Sequence, residues 1–149
     1  MSDKALILVL EQHKKHEQQA VQELAQAQQQ LVAFRQQFAN LQNYRNQYVK
    51  QMHEKGASGL YADSYSYYQK FIVKLEEAML QQQAALPKVM HQVELKKRHW
   101  VEMQSKRKAV ETLLAKRAHA AQKKADKLEQ KMLDEFANFQ FYQKQNPSF

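Results

Sequence analysis

The sequence predicts an all-α fold, a long two-helix antiparallel coiled-coil hairpin whose second helix is longer than the first. Apolar residues recur at alternating steps of four and three over most of the 149 residues, the period that keeps one seam of a helix against another. Turn formers are scarce: the chain has two Gly and two Pro, with both Gly at positions 56 and 59, so one reversal is expected. The 44% of residues that are hydrophobic are spaced by Gln, Lys, Glu and Ala, which gathers apolar surface into a stripe. One domain over residues 1–149 follows from that organisation.

The first helix is expected over residues 4–54. Stepping from Leu6 gives Leu10, His13, Glu17, Ala20, Leu24, Ala27, Leu31, Phe34, Phe38, Leu41, Arg45, Tyr48 and Met52, and eleven of these fourteen positions are apolar or alanine. A sustained seven-residue repeat is the mark of a left-handed coiled coil. Residues 55–60 form the turn, where Gly56 and Gly59 permit positive φ and Ser58 and Asp63 are placed to cap the next helix.

The second helix is expected over 61–141. From Tyr61 the stepping reads Tyr65, Tyr68, Ile72, Leu75, Met79, Gln82, Leu86, Val89, Val93, Lys96, Trp100, Met103, Arg107, Val110 and Leu114. Beyond Arg117 it slips in register towards Ala125, Leu128, Met132, Phe136 and Phe139, and residues 142–149, with Pro147, read as a frayed end. Pro87 should kink the helix by removing one backbone bond. With a short turn, facing residues should sum to roughly 115, setting Phe34 near Leu80 and Leu6 near Ala109. The second helix then overhangs the first by some thirty residues at the rise of an α-helix, and that overhang must fray, bind a partner or be covered by another copy.

The net charge of +8 is concentrated in one segment: thirteen basic and five acidic residues lie between Lys88 and Lys131, against nine and eight in residues 1–87. Such a field recruits anionic partners. The candidates are Lys96, Lys97 and Arg98, with Lys106, Arg107 and Lys108 further on. The stretch fits a solvated outer face or a surface for an acidic protein partner. A nucleic-acid partner is disfavoured because the stretch has no basic-region motif and no platform of spaced aromatics.

Absent features narrow the function further. The chain has no Cys, which removes disulfides, thiolate metal sites and thiol nucleophiles. No apolar run reaches membrane-spanning length, and the N-terminal patch is too short for a signal peptide, so a cytoplasmic protein is expected. His13 and His16 lie a turn apart without acidic companions at ligand spacing, and a seam His more often sets register than binds metal. With no phosphate-cradling loop, nucleophile elbow or carboxylate pair in a cleft, neither an enzyme, a small-molecule substrate nor a cofactor is expected.

Nine of the fifteen aromatics, Phe34, Phe38, Tyr44, Tyr48, Tyr61, Tyr65, Tyr67, Tyr68 and Phe71, cluster in the half of the hairpin next to the turn. Tyr44, Tyr67 and Phe71 fall off the strict seam, so an exposed aromatic face, a mark of protein-binding surfaces, is set against a locally fatter core.

The strings LQNYRNQYVKQM, SYYQKFIVKLEEAMLQQ and QKMLDEFA, spread between about Leu31 and Ala137, resemble the FliJ family of flagellar export proteins. The resemblance implies a stalk, similar to the two-helix shaft of a rotary ATPase, that links the export ATPase FliI to the membrane gate FlhA. It also implies peripheral association with the inner membrane through those partners, and contact with secretion chaperones. The joined ends of the hairpin would meet the ATPase ring, the basic residues Lys96, Lys97, Arg98, Lys106, Arg107 and Lys108 being the expected ring contacts, and the family's gate-contact stripe falls on Gln37, Leu41, Tyr44, Tyr48, Phe71, Leu75 and Ala78. The next stripe position, Gln82, departs from the His of the family pattern. The equivalent stalk of a virulence injectisome shares the shape and charge.

Overall fold

The computed structural model describes residues 1–59 and 62–145 as two helices packed against each other, α1 (Asp3–Ala57) and the longer α2 (Ala62–Gln145). No strand occurs among the described residues. Tyr61 and Pro147 lie outside them. Packing falls into two compact units, one of residues 16–103 and one of residues 1–15 with 104–149.

Each helix forms where the sequence supplies ends as well as a seam. Ser2 is the N-cap of α1: its Oγ accepts a hydrogen bond from the Ala5 N–H at 3.1 Å, and Asp3 adds an anion to the first turn, where unsatisfied N–H groups concentrate positive potential. α1 ends three residues later than expected. Gly56 is helical, and Ser58 closes the C-terminus of α1 instead of opening α2, its Oγ donating to the carbonyls of Glu54 and Lys55 at 3.1 and 3.2 Å. The chain leaves the helix at Gly59, whose φ of +94° is a conformation that a side chain rarely tolerates. α2 opens with Asp63 in its first turn and runs unbroken through Pro87 to Gln145, so residues 142–145 are helical.

Later closure of α1 moves the register. In unit 16–103, Glu23 meets Lys96 and Tyr48 meets Phe71; in the other unit, Asp3 meets Arg117. Facing residue numbers therefore sum to 119 or 120, not 115. Phe34 shares a cleft with Gln82, Gln83 and Leu86, while Leu80 and Ala109, the partners expected for Phe34 and Leu6, are solvent-exposed. A sum of 120 pairs every stepped position of α1 with one of α2, including Ala20 with Trp100 and Leu6 with Leu114.

Burial follows that seam. All fourteen stepped positions of α1 and all fifteen described ones of α2, from Tyr65 to Leu114, are buried or half-buried, polar members included. The fully buried set comprises Leu6, Ala20, Ala27, Met52, Ile72, Met79 and Met103, with no buried polar residue among those described. Every residue from Ala118 to Gln145 is exposed, because no turn of α1 lies opposite.

Two neighbouring glycines should answer oppositely to the same change. Gly56→Ala should raise the unfolding free energy by about 0.5–1 kcal/mol, since a Cβ there meets only Tyr65 Cε2 at 3.9 Å and helical Gly is costly. Gly59→Ala should lower it by about 1–2 kcal/mol through left-handed strain. Urea titration followed by circular dichroism reads both. In the same assay Ile72→Ala should cost about 2–4 kcal/mol and Val32→Ala, at 68% exposure, less than about 0.5 kcal/mol.

Candidate docking surfaces

The aromatic flank is built by the seam residues Leu41, Tyr48 and Leu75 with Gln37, Tyr44, Phe71 and Ala78, each of which lies one residue before a seam position. On α1, Gln37, Leu41, Tyr44 and Tyr48 follow one another at steps of four, three and four; on α2, Phe71, Leu75 and Ala78 step by four and three. The two rows run antiparallel and join where the rings of Tyr48 and Phe71 lie 4.6 Å apart, tilted by 52°, a favoured offset arrangement. Tyr48 also lies 6.0 Å from Tyr68. The join brings both rows to the same flank of the helix pair, with the exposed ring of Tyr44 standing out of it.

Phe71 is half-buried against Tyr48, and so belongs partly to a thickened core; Tyr44 and Tyr67, at 56% and 73% exposure, carry the open aromatic surface. A shallow groove along α2 runs past Tyr67, Phe71 and Val73 between Lys70, Lys74 and Glu77. Sequence periodicity did not single out Lys55, which fixes the end of the cluster. Its ammonium donates to the Tyr68 hydroxyl at 2.6 Å and sits 5.2 Å from that ring's centre. The alternating step ends at Met52, so no heptad signal could have found it.

The cations divide into two kinds. Lys96 and Arg107 are seam residues: Lys96 donates to Glu23 across the helix pair at 3.3 Å, and Arg107 donates to Glu111 at 2.8 Å. Arg98 pairs with Glu94 one turn back on its own helix. Lys97, Arg98, Lys106 and Lys108 are exposed. The excess charge of α2 is thus shared between seam positions and exposed ones, and the two triplets lie in separate units. No three His, Asp or Glu side chains among the described residues come together as a metal site, and no described helix is long and apolar enough to cross a membrane.

Two helices packed against each other through a heptad seam define a coiled-coil protein. The family model for the flagellar FliJ protein matches residues 2–146, and the chain belongs to that family. The match takes in the first thirty residues, where the sequence had offered periodicity alone. The Flagellar FliJ proteins of Escherichia coli K12 and of Salmonella typhi are each 30% identical to it over 95 residues, an alignment covering 64% of this chain and 65% of the relative.

The cross-helix pair of Lys96 with Glu23 is 41% and 38% exposed, so solvent screens it strongly. Glu23→Gln should cost less than about 1 kcal/mol in urea unfolding at low salt, and the difference from the parent should vanish near 1 M NaCl.

Proposed function

We infer that this chain is a non-catalytic central stalk of the export apparatus, one that binds and stimulates the export ATPase FliI and couples it to the gate protein FlhA. The observation that carries this reading is the aromatic flank. The seam consumes every stepped residue, yet Tyr44 is left in solvent beside the joined rings of Tyr48 and Phe71, and an aromatic anchored in a half-buried row is the form binding hot spots take. Gln37, Leu41, Tyr44, Tyr48, Phe71, Leu75 and Ala78 form the gate-binding surface.

Stimulation needs no catalytic group from the stalk. A protein that binds the assembled ATPase ring more tightly than its separate subunits favours assembly by mass action. The exposed cations recruit an acidic ring surface, Lys97 and Arg98 from one unit and Lys106 and Lys108 from the other, while Lys96 and Arg107 sit at seam positions. Family membership favours the flagellar system over an injectisome, and the protein acts at the cytoplasmic side of the membrane through its partners.

Steady-state ATP hydrolysis by the cognate export ATPase, measured against increasing amounts of this protein, tests the stalk role. Hydrolysis should rise to a plateau. The triple variant Lys97→Glu, Arg98→Glu, Lys108→Glu should need about tenfold more protein for half-maximal effect, from roughly 0.5 kcal/mol per exposed charge. That gap should close at high salt. Hydrolysis that stays flat at every concentration sinks the reading.

Tyr44→Ala should leave stimulation intact and weaken binding to the cytoplasmic part of the gate protein about thirtyfold, the loss expected of an anchor worth about 2 kcal/mol. Equal affinity of the two forms in calorimetry would remove Tyr44 from the contact.

A further inference from the structure

α2 continues for twenty-eight described residues, Ala118–Gln145, beyond its pairing with α1, and all of them are exposed. The face that packs on α1 does not end there. Met132 lies eighteen residues past Leu114, which is five whole turns at 3.6 residues per turn, so it points the same way. Ala121, Ala125, Leu128, Met132, Phe136 and Phe139 prolong that face, and its large members are each about 60% exposed. An apolar row of this length without a facing helix is out of place on a surface in water.

The row is symmetric about one of its own residues, which a strictly alternating seam is not. Its steps, from Ala121 through Met132 to Gln143, are four, three, four, four, three, four, and they read the same in both directions. A helix with that pattern matches an inverted copy of itself layer by layer, centred on Met132. Ala125 then lies opposite Phe139 and Leu128 opposite Phe136, so small residues meet large ones. At this register the overhang of one copy lies along the whole overhang of the other.

Charge runs the same way. Lys123, Lys124, Lys127 and Lys131 outnumber Asp126 and Glu129 in the half nearer the hairpin; Asp134 and Glu135 outnumber Lys144 in the far half. Inversion sets the cationic half of one copy beside the anionic half of the other, with Lys131 across from Glu135 on both sides of the twofold axis. Parallel pairing would stack four lysines on four lysines.

We propose that the overhang of α2 is an interface for a second copy of this chain, joined antiparallel about Met132 into a symmetric dimer. The interface is isologous and closes on itself, so it makes dimers and not filaments. The occupant continues an existing helix–helix seam, taking the place along α2 that α1 occupies nearer the turn.

Sedimentation velocity of the full chain across a wide concentration range should reveal a reversible species of twice 17.6 kDa. The variant Met132→Glu, Phe136→Glu should abolish it with no loss of helical circular dichroism, because both residues are exposed in the single chain. Geometry is read by disulfide trapping, the chain having no cysteine of its own. Met132→Cys should self-link on mild oxidation. Ala125→Cys and Phe139→Cys should each self-link poorly and should link efficiently when mixed. A mass of 17.6 kDa at every concentration overturns the proposal and assigns the row to another protein, and self-linking of Ala125→Cys as efficient as that of Met132→Cys overturns the antiparallel pairing.

Discussion

Register is the constraint on which everything else in this molecule depends. Side chains on a helix pair meet only across the seam, and a slip of α1 along α2 that is not a whole heptad would set Leu, Met and Ile against Gln and Lys. Two features hold the constant sum of 120. One is the place where the chain reverses, fixed by the Ser58 hydroxyl over the last carbonyls of α1 and by the positive φ of Gly59. The other is the set of polar partners that face each other only at that alignment, Glu23 with Lys96 and Asp3 with Arg117. Their individual energies are small, but each penalises the displaced alternatives, which is how polar seam residues specify alignment.

The aromatic flank inherits its geometry from that register. Tyr48 reaches Phe71 because their numbers sum to 119, and the rows that begin there stay adjacent because both step by four and three. Were the sum 115, Tyr48 would lie nearer Tyr67 and the same side chains would present a different surface. The cationic segment follows the same logic. Lys96 and Arg107 occupy seam steps and are drawn inward to carboxylates, while their neighbours in sequence face water. A run of like charges in the sequence is therefore two populations in space.

Most of this was legible from the residues. The alternating step located every described buried and half-buried seam position, including His13, Glu17, Arg45 and Lys96, because a periodic signal averages over many residues and tolerates polar exceptions. The exposed end of α2 was legible for the same reason, since the step falters beyond Arg117. What escaped was local. Gly56 looked like a breaker and is helical, since a glycine inside a helix and one ending it differ only in backbone angle. Ser58 looked like the cap of the following helix and closes the preceding one. Those few residues displaced the register by about five, which moved Leu80 from the interface into solvent. Phe71 looked free and is half-covered by Tyr48, a contact between two residues that period alone treats separately. The Lys55 contact with Tyr68 lies where the repeat gives out. No sequence rule tells which lysines of the basic stretch are tethered, because the carboxylates that hold them come from both their own helix and the opposite one.

Ala20 and Ala27 are among the few fully buried residues, and that has a bearing on how the molecule comes apart. A core one side chain thick has no centre to protect. Each layer is stabilised by its neighbours above and below and by little else, so opening is a local event that travels from a free end, like fraying in a duplex, in place of a single global collapse. The alanine layers bring the two backbones close but contribute little buried area, and they are the natural places for such fraying to pause or pass. Amide exchange along the chain will follow distance from the nearest end and the size of the seam residue, and a protein built this way can loosen one stretch for a partner while the rest stays wound.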